Sequence, residues 1–323
     1  MRTLVMGGTE FISLHLVREL LAHGHEVTAF NRGRRAERLP GGVQTITGDR
    51  KDHAGLAARL KGHRFEGVFD ITYAPTHDAD VAALVAALEG QQPHIVFIST
   101  GRVYDHSLPI PYSEETPRSL YWGEYARHKI TSEDLLFERH RTGGGPITIV
   151  RPTHVMGPLN TRNNETFFMD RISRGRPVLV PGHGGWLRQF GHVEDLAIAM
   201  AAMLGNPKSY GQAYNVMGED TVTQVGFVEL IAEAMKKSVS FRHFDPTLLK
   251  GFDKPGSVFG QNLVYDCHAV HTTSRIRRDL GIRPRYTLAS AVAHTWEWYK
   301  REGLADRPVD FAFEDSILAK IGA

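Results

Sequence analysis

Thr3-Leu4-Val5-Met6 opens the chain as a short apolar run with the pattern of a buried strand, and Gly7-Gly8-Thr9-Glu10 interrupts it. From Phe11 to Leu21 apolar residues recur at helical spacing, with Phe11, Leu14, Val17 and Leu21 on one face. Gly24 stops that helix, and His25-Glu26-Val27-Thr28-Ala29-Phe30 reads as a second strand. Strand, glycine turn, helix and strand make a βαβ unit. Its turn offers backbone N–H groups and a helix N-terminus to an anion, as a dinucleotide-binding fold requires.

The glycine signature departs from Gly-x-x-Gly-x-x-Gly. Gly7 holds the first position, but Glu10 holds the second and Ser13 the third. The second glycine normally lets the backbone approach a pyrophosphate, and the third lets helix and strand pack closely. Serine is a small steric change. A carboxylate at position 10 brings negative charge toward a phosphate unless it points to solvent, where the helix dipole favours it. A βαβ unit without a cofactor is the alternative.

The 323 residues suffice for two modest domains, and a net charge of +2 argues against a chain built as a polyanion binder. Cys267 is the sole cysteine, so no intramolecular disulfide forms, which suits a reducing cytoplasm. The expectation is a cytoplasmic protein with no signal segment, no membrane span and no resident metal.

After the second strand comes Asn31-Arg32-Gly33-Arg34-Arg35. An acid at this place favours a free ribose 2′-hydroxyl and arginine a 2′-phosphate, so the stretch leans to NADP over NAD. A solvated basic loop is the bland reading. Further strands are expected at Val43–Thr47, near Gly67–Ile71 and at His94–Thr100, with helices at Ala54–Leu60 and Asp78–Leu88. This alternation argues for a doubly wound α/β sheet whose chemistry sits at the carboxyl ends of the strands, where Thr100 falls. Tyr121–His140 reads as a long helix. Within it Tyr125 and Lys129 are four apart and share a face. An ammonium beside a phenol favours the phenolate, which is how a tyrosine could move protons near neutral pH.

These parts, in this order, resemble an extended short-chain dehydrogenase/reductase, the group of the nucleotide-sugar epimerases and dehydratases. The resemblance rests on Gly7–Ile12, Phe97–Tyr104, Tyr125–Lys129, Arg151–Pro158 and Arg188–Leu196. It implies a Rossmann-type α/β fold with a dinucleotide-binding domain over 1–153, segments near 190–217 returning to it, and a smaller substrate domain over 154–323. Thr100, Tyr125 and Lys129 would match the catalytic set. Gly7, Thr9, Glu10, Phe11, Ile12, Asn31, Arg32, Asp49, Arg50, Lys129 and Pro152 would meet NAD(P). Thr100, His154 and Arg188 would meet the substrate, with Arg188 gripping a diphosphate. The implied partner is a small molecule, a nucleotide-sugar, and the implied assembly is a homodimer through the helices Asp78–Leu88 and Tyr121–His140.

A second likeness joins Phe167–Ile172, Val180-Pro181-Gly182, His192–Leu196 and the tail Phe313–Leu318. These resemble the plant chloroplast stem-loop RNA-binding proteins and their bacterial relatives, which makes RNA the competing ligand. Gly101-Arg102 follow Thr100 where the dehydratases carry Asp-Glu, so water elimination is disfavoured. His154 replaces a frequent asparagine, and Lys254, before Tyr265, is a candidate second diphosphate contact. The basic stretch Arg275–Arg278 with Arg283 and Arg285 could meet RNA phosphates, but it lacks interleaved aromatics and reads better as a solvated helix face. Cys267-His268-x-x-His271 matches no standard zinc spacing.

Overall fold

A computed structural model describes residues 1–71, 77–160, 162, 164–250 and 266–322. Lys254 and Tyr265 therefore lie outside the described residues. Two compact units emerge: Met1–Thr153 with Val193–Met217 and His271–Arg285, and His154–His192 with Gly218–Val270 and Tyr286–Ala323. The sequence did not announce that His271–Arg285 joins the first unit.

The first unit is built on a seven-stranded parallel sheet. Its strands are β1 (Arg2–Met6), β2 (Glu26–Asn31), β3 (Gln44–Thr47), β4 (Gly67–Asp70), β5 (His94–Ile98), β6 (Ile147–Pro152) and β10 (Gln212–Val216). They lie in the order β10-β6-β5-β4-β1-β2-β3. The strand order reverses at β1, so the carboxyl ends of β1 and β4 flank the crevice where such sheets bind ligands. Helices α1 (Phe11–Ala22), α2 (His53–Leu60), α3 (Asp78–Ala87), α4 (Gly123–Arg141) and α6 (Val193–Met203) connect or follow these strands. All five residues of β5 are buried, as a strand covered on both faces demands. Leu4, Val68, Ile95, Phe97 and Ile149 form the centre of this core, each worth about 1.5–3 kcal/mol of burial.

His94 is the polar exception within β5. Its Nε2 donates to Thr148 Oγ1 (2.9 Å), and its Nδ1 accepts the Gly205 amide (3.0 Å). Burial pushes this imidazole down to about 4, so it stays neutral. Helix α4 begins at Gly123 rather than at Tyr121, because Gly123 takes a left-handed φ of +60° after Trp122. It is tied to the sheet by Glu133, which accepts both Nε (2.9 Å) and Nη2 (2.6 Å) of Arg151 on β6.

The second unit holds a three-stranded sheet of β7 (His154–Met156), β9 (Leu187–His192) and β11 (Thr221–Thr223), with β9 central. Strands β8 (Val178–Pro181) and β12 (Phe241–Phe244) pair in parallel. Helices α5 (Glu165–Ser173), α7 (Gln224–Ala234), α9 (Leu288–Arg301) and α10 (Ala312–Ile321) complete it, while α8 (Ser274–Leu280) belongs to the first unit. Phe190 stacks on Phe227 with centroids 3.8 Å apart at the heart of this core. Arg171 of α5 makes a two-point bond to Glu314 of α10 (2.7 and 2.5 Å), so the Phe167–Ile172 and Phe313–Leu318 motifs are physically joined. Among the described residues no helix is long and apolar enough to cross a membrane.

Candidate functional site

The glycine turn leaves β1 in conformations that side chains resist. Gly7 has φ +113° and Gly8 φ +100°, and a Cβ on Gly8 would stand 3.0 Å from Ala29 Cβ. A Cβ on Gly7 would meet Ser13 Oγ at 3.3 Å. Serine at the third glycine position is thus accommodated by the glycine opposite it, and its hydroxyl donates to the Glu10 carbonyl (2.8 Å). Phe11 opens α1 with φ +33°, an unusual value for a buried aromatic. Ile12 is buried behind it and Thr9 lies on the turn itself.

Glu10 occupies the N-cap position in extended geometry without capping α1 through its side chain. Instead its half-exposed carboxylate forms an ion pair with Arg35, from the loop after β2. The negative charge that looked incompatible with a phosphate is balanced by a residue of the basic stretch. Two adjacent left-handed glycines, a helix N-terminus and a neutralised acid fit a dinucleotide pyrophosphate.

At the end of β2, the Asn31 side chain accepts the Gly33 amide (2.8 Å) and shapes the turn that carries exposed Arg32. Asp49 does the same for Lys51 (3.0 Å) after β3. Arg50 pairs with Asp70 at the end of β4 through two bonds, at 2.7 and 3.1 Å. Two residues expected on the cofactor, Asp49 and Arg50, therefore also bind their own chain.

Thr100 follows β5, buried, and its Oγ accepts the Arg102 amide at 3.3 Å. Between them Gly101 is forced: a Cβ there would lie 2.6 Å from His271 Nε2. The Gly101 carbonyl receives N–H from two imidazoles, His106 (3.2 Å) and His271 (3.4 Å). A carbonyl only accepts, which fixes the protonated nitrogen of each ring as Nε2. Burial holds His271 down to about 3, hence neutral.

On α4, Tyr125 is 41% exposed. The Arg102 guanidinium lies 5.9 Å from its ring centroid and 4.9 Å from that of Trp122. Lys129 is buried, donates from Nζ to the Ile98 carbonyl (2.7 Å) and sits 4.7 Å above the Phe97 ring. Desolvation pushes its ammonium down to about 8, opposed in part by Asp70. The cation on the Tyr125 ring is thus Arg102, whereas the Lys129 ammonium is bonded at the strand end. Pro152 ends β6 and is buried.

In the second unit His154 opens β7 and tilts against Phe190 at 5.6 Å. Arg188 lies on β9, fully buried, and its Nη1 donates to the carbonyls of Leu187 (3.0 Å) and Cys267. One nitrogen of the fork expected to face a diphosphate thus also bonds backbone oxygens. His268 Nδ1 accepts the Leu187 amide (3.0 Å), and His271 belongs to the first unit, so Cys267, His268 and His271 have separate structural duties. Three arginines of the basic stretch are paired: Arg275 with Glu114 and Glu115, Arg278 with Asp279, and Arg285 with Glu194 and Asp195.

The model of the NAD dependent epimerase/dehydratase family matches residues 3–216, about two thirds of the chain and all of the turns just described. The chain belongs to that family. Within it, a chloroplast stem-loop binding protein of 41 kDa from Arabidopsis thaliana is 32% identical over 99% of this chain and 84% of its own length. A dTDP-glucose 4,6-dehydratase from Streptomyces niveus is 28% identical over 67% of this chain, which spans 60% of that enzyme. Among solved structures, UDP-glucose 4-epimerase from Thermotoga maritima superposes with a TM-score of 0.78 at 20% identity, over 94% of this chain and 99% of that one. The Thermus thermophilus UDP-glucose 4-epimerase complexed with NAD gives 0.77 at 23%, over 93% and 99%. At those identities the likeness establishes the fold.

The family pattern pointed to Thr100, Tyr125 and Lys129 but not to the residues that hold them. His106 and Trp122 went unnoticed because their partners are tertiary, and His271 was weighed only as part of a metal-like spacing; Arg35 was visible in the basic loop, without its link to Glu10.

Proposed function

We propose that the chain is an NAD(P)-dependent oxidoreductase of nucleotide-sugars, working as an epimerase through a transient ketone. The observation that supports this reading is that one unit holds the glycine turn after β1, Thr100 after β5, and Tyr125 and Lys129 on α4, with Lys129 bonded at the end of β5. A nicotinamide cofactor held on the glycine turn supplies a hydride acceptor and donor. Tyr125 takes the proton of the sugar hydroxyl and returns one to the ketone. Thr100 hydrogen-bonds the reacting oxygen. Lys129, with one donor on the Ile98 carbonyl, has further N–H groups for the nicotinamide ribose. Asn31 in place of an acid, followed by Arg32, supports a preference for NADP, and α3 with α4 is the face proposed for a homodimer.

Tyr125→Phe tests the proposal. Turnover on a nucleotide-sugar should fall at least about 100-fold, while NADPH affinity by fluorescence titration stays within about twofold. Comparable turnover in the variant would sink the mechanism. RNA is the second reading, favoured by the relative named for stem-loop binding that matches nearly the whole chain. Its signature would be an affinity that falls steeply with salt.

A further inference from the structure

We propose that His77 and His128 form a pH-sensitive clasp tying the start of α3 to α4, closed while the two rings hold at most one extra proton and opened by a second. His77 is the N-cap residue of α3, and His128 stands on α4, between Tyr125 and Lys129 in sequence. Their rings meet edge to face with centroids 4.4 Å apart, and His77 Nδ1 lies 3.0 Å from His128 Nε2. The other ring nitrogen of His128, Nδ1, lies 3.0 Å from Asp78 Oδ1. One imidazole of α4 thus bridges the first residue of α3 and the residue before it.

The placing of the protons follows from the partners. Burial raises the Asp78 carboxyl, but the bond and charge of His128 outweigh it and hold the group below the ordinary carboxylate range, so it is an anion. A carboxylate only accepts, and His128 Nδ1 therefore carries a hydrogen. His128 Nε2 then accepts from His77 Nδ1, and the chain of bonds is complete with both rings neutral. A proton added at His77 Nε2 preserves this order and turns the donor into an ion, which strengthens the bond. A second proton on the rings has only His128 Nε2 to go to. It would set two N–H groups and two positive charges against each other across 3.0 Å. Charges of both signs surround the pair. From α4, Arg127 Nη2 lies 3.2 and 3.3 Å from the two ring nitrogens of His128, and Glu124 lies 3.9 Å from Nε2. From α3, Asp78 also meets Arg127 (3.6 Å), and Asp80 accepts the His77 amide (3.1 Å). Lys51 (3.4 Å) and His53 (3.0 Å), before and on α2, are bonded to Asp80 in turn. The arginine against the His128 ring opposes the second proton.

A double-mutant cycle of His77→Ala, His128→Ala and the two together, read by urea unfolding of the full chain, separates this contact from every other titrating group. At about pH 7.5 the cycle should give a coupling of at least about threefold in the folding equilibrium constant. At about pH 4.5, roughly two units below the ordinary imidazole value, the factor should fall to about one or less. Hydrogen exchange gives a second readout, at the amides of residues 81–84, which bond back to the start of α3. Corrected for intrinsic rates, their protection in the parent should drop at least about tenfold between these two pH values. In His77→Ala, where no clasp exists to open, it should not. Equal coupling at both pH values, or none at the higher one, overturns the proposal. The exchange comparison needs only the parent and His77→Ala, so it decides the matter even if His128→Ala fails to fold: the same loss of protection in both proteins overturns the clasp.

Discussion

The turns after β1 and after β5 occupy equivalent places, the carboxyl ends of parallel strands in one sheet, and each departs from the family pattern by a charged side chain. After β1 the departure is cancelled: Glu10 is met by Arg35 from the neighbouring loop, and Ser13 fits against Gly7. After β5 the departure is reinforced. Gly101 admits two histidines onto its carbonyl, and Arg102 is stacked on Trp122 beside Tyr125. One charge is answered by a neighbouring loop, whereas the other lies over aromatic rings.

Five substitutions would break or sharpen this contrast. Lys129→Met carries the largest effect, because the buried ammonium beneath the β5 turn is costly. Its folded value of about 8 lies below the ordinary 10.5, so between these values the unfolded chain binds more protons and stability rises with pH. The variant should therefore be more stable than the parent at pH 7, by up to about 3 kcal/mol. That advantage should fade between pH 8 and 10.5, as urea midpoints across this range would reveal; a gain that grows with pH would refute the reading. Gly101→Ala comes next. Pushing a methyl group onto His271 should cost roughly 1–3 kcal/mol and depress turnover, whereas Gly8→Ala, strained by its left-handed φ, should cost about 1–2 kcal/mol and act chiefly on NADPH affinity. If both variants lowered turnover and cofactor affinity in equal measure, the two turns would not have the separate roles given to them.

Glu10→Gln is a smaller test. An exposed ion pair contributes about 0–1 kcal/mol, so NADPH should bind no more than about fivefold more tightly once the carboxylate is gone. A gain of a hundredfold would mean that Arg35 does not balance Glu10. Smallest of all should be Arg278→Gln, whose guanidinium is occupied by Asp279. Gel-shift titration of a stem-loop RNA should not distinguish it from the parent, and a clear loss would revive the basic stretch as a nucleic-acid contact.

The first βαβ unit could be read almost to the residue, because strand and helix periodicities are local and Gly24 marks the stop. The start of α4 was misplaced by two residues since Tyr121 and Trp122 continue an apolar pattern that Gly123 interrupts. Other features had no local signal at all. Arg171 and Glu314 are separated by 143 positions, and His271 meets Gly101 across 170. Arg188 illustrates the limit from the other side: a motif indicated where it lies in the chain, but burial on β9 and the carbonyls it satisfies are set by the sheet around it. Residue type and spacing located the candidate residues; which charges are answered, and by what, depended on the packed molecule.

The return of His271–Arg285 to the first unit bears on how the protein is made. A ribosome adding about 5–20 residues per second needs roughly a quarter of a minute to a minute to reach that segment. Until it emerges, the Gly101 carbonyl lacks one of its two donors and β10 lacks α8. The carboxyl end of β5 is therefore finished late in synthesis, long after the glycine turn can close.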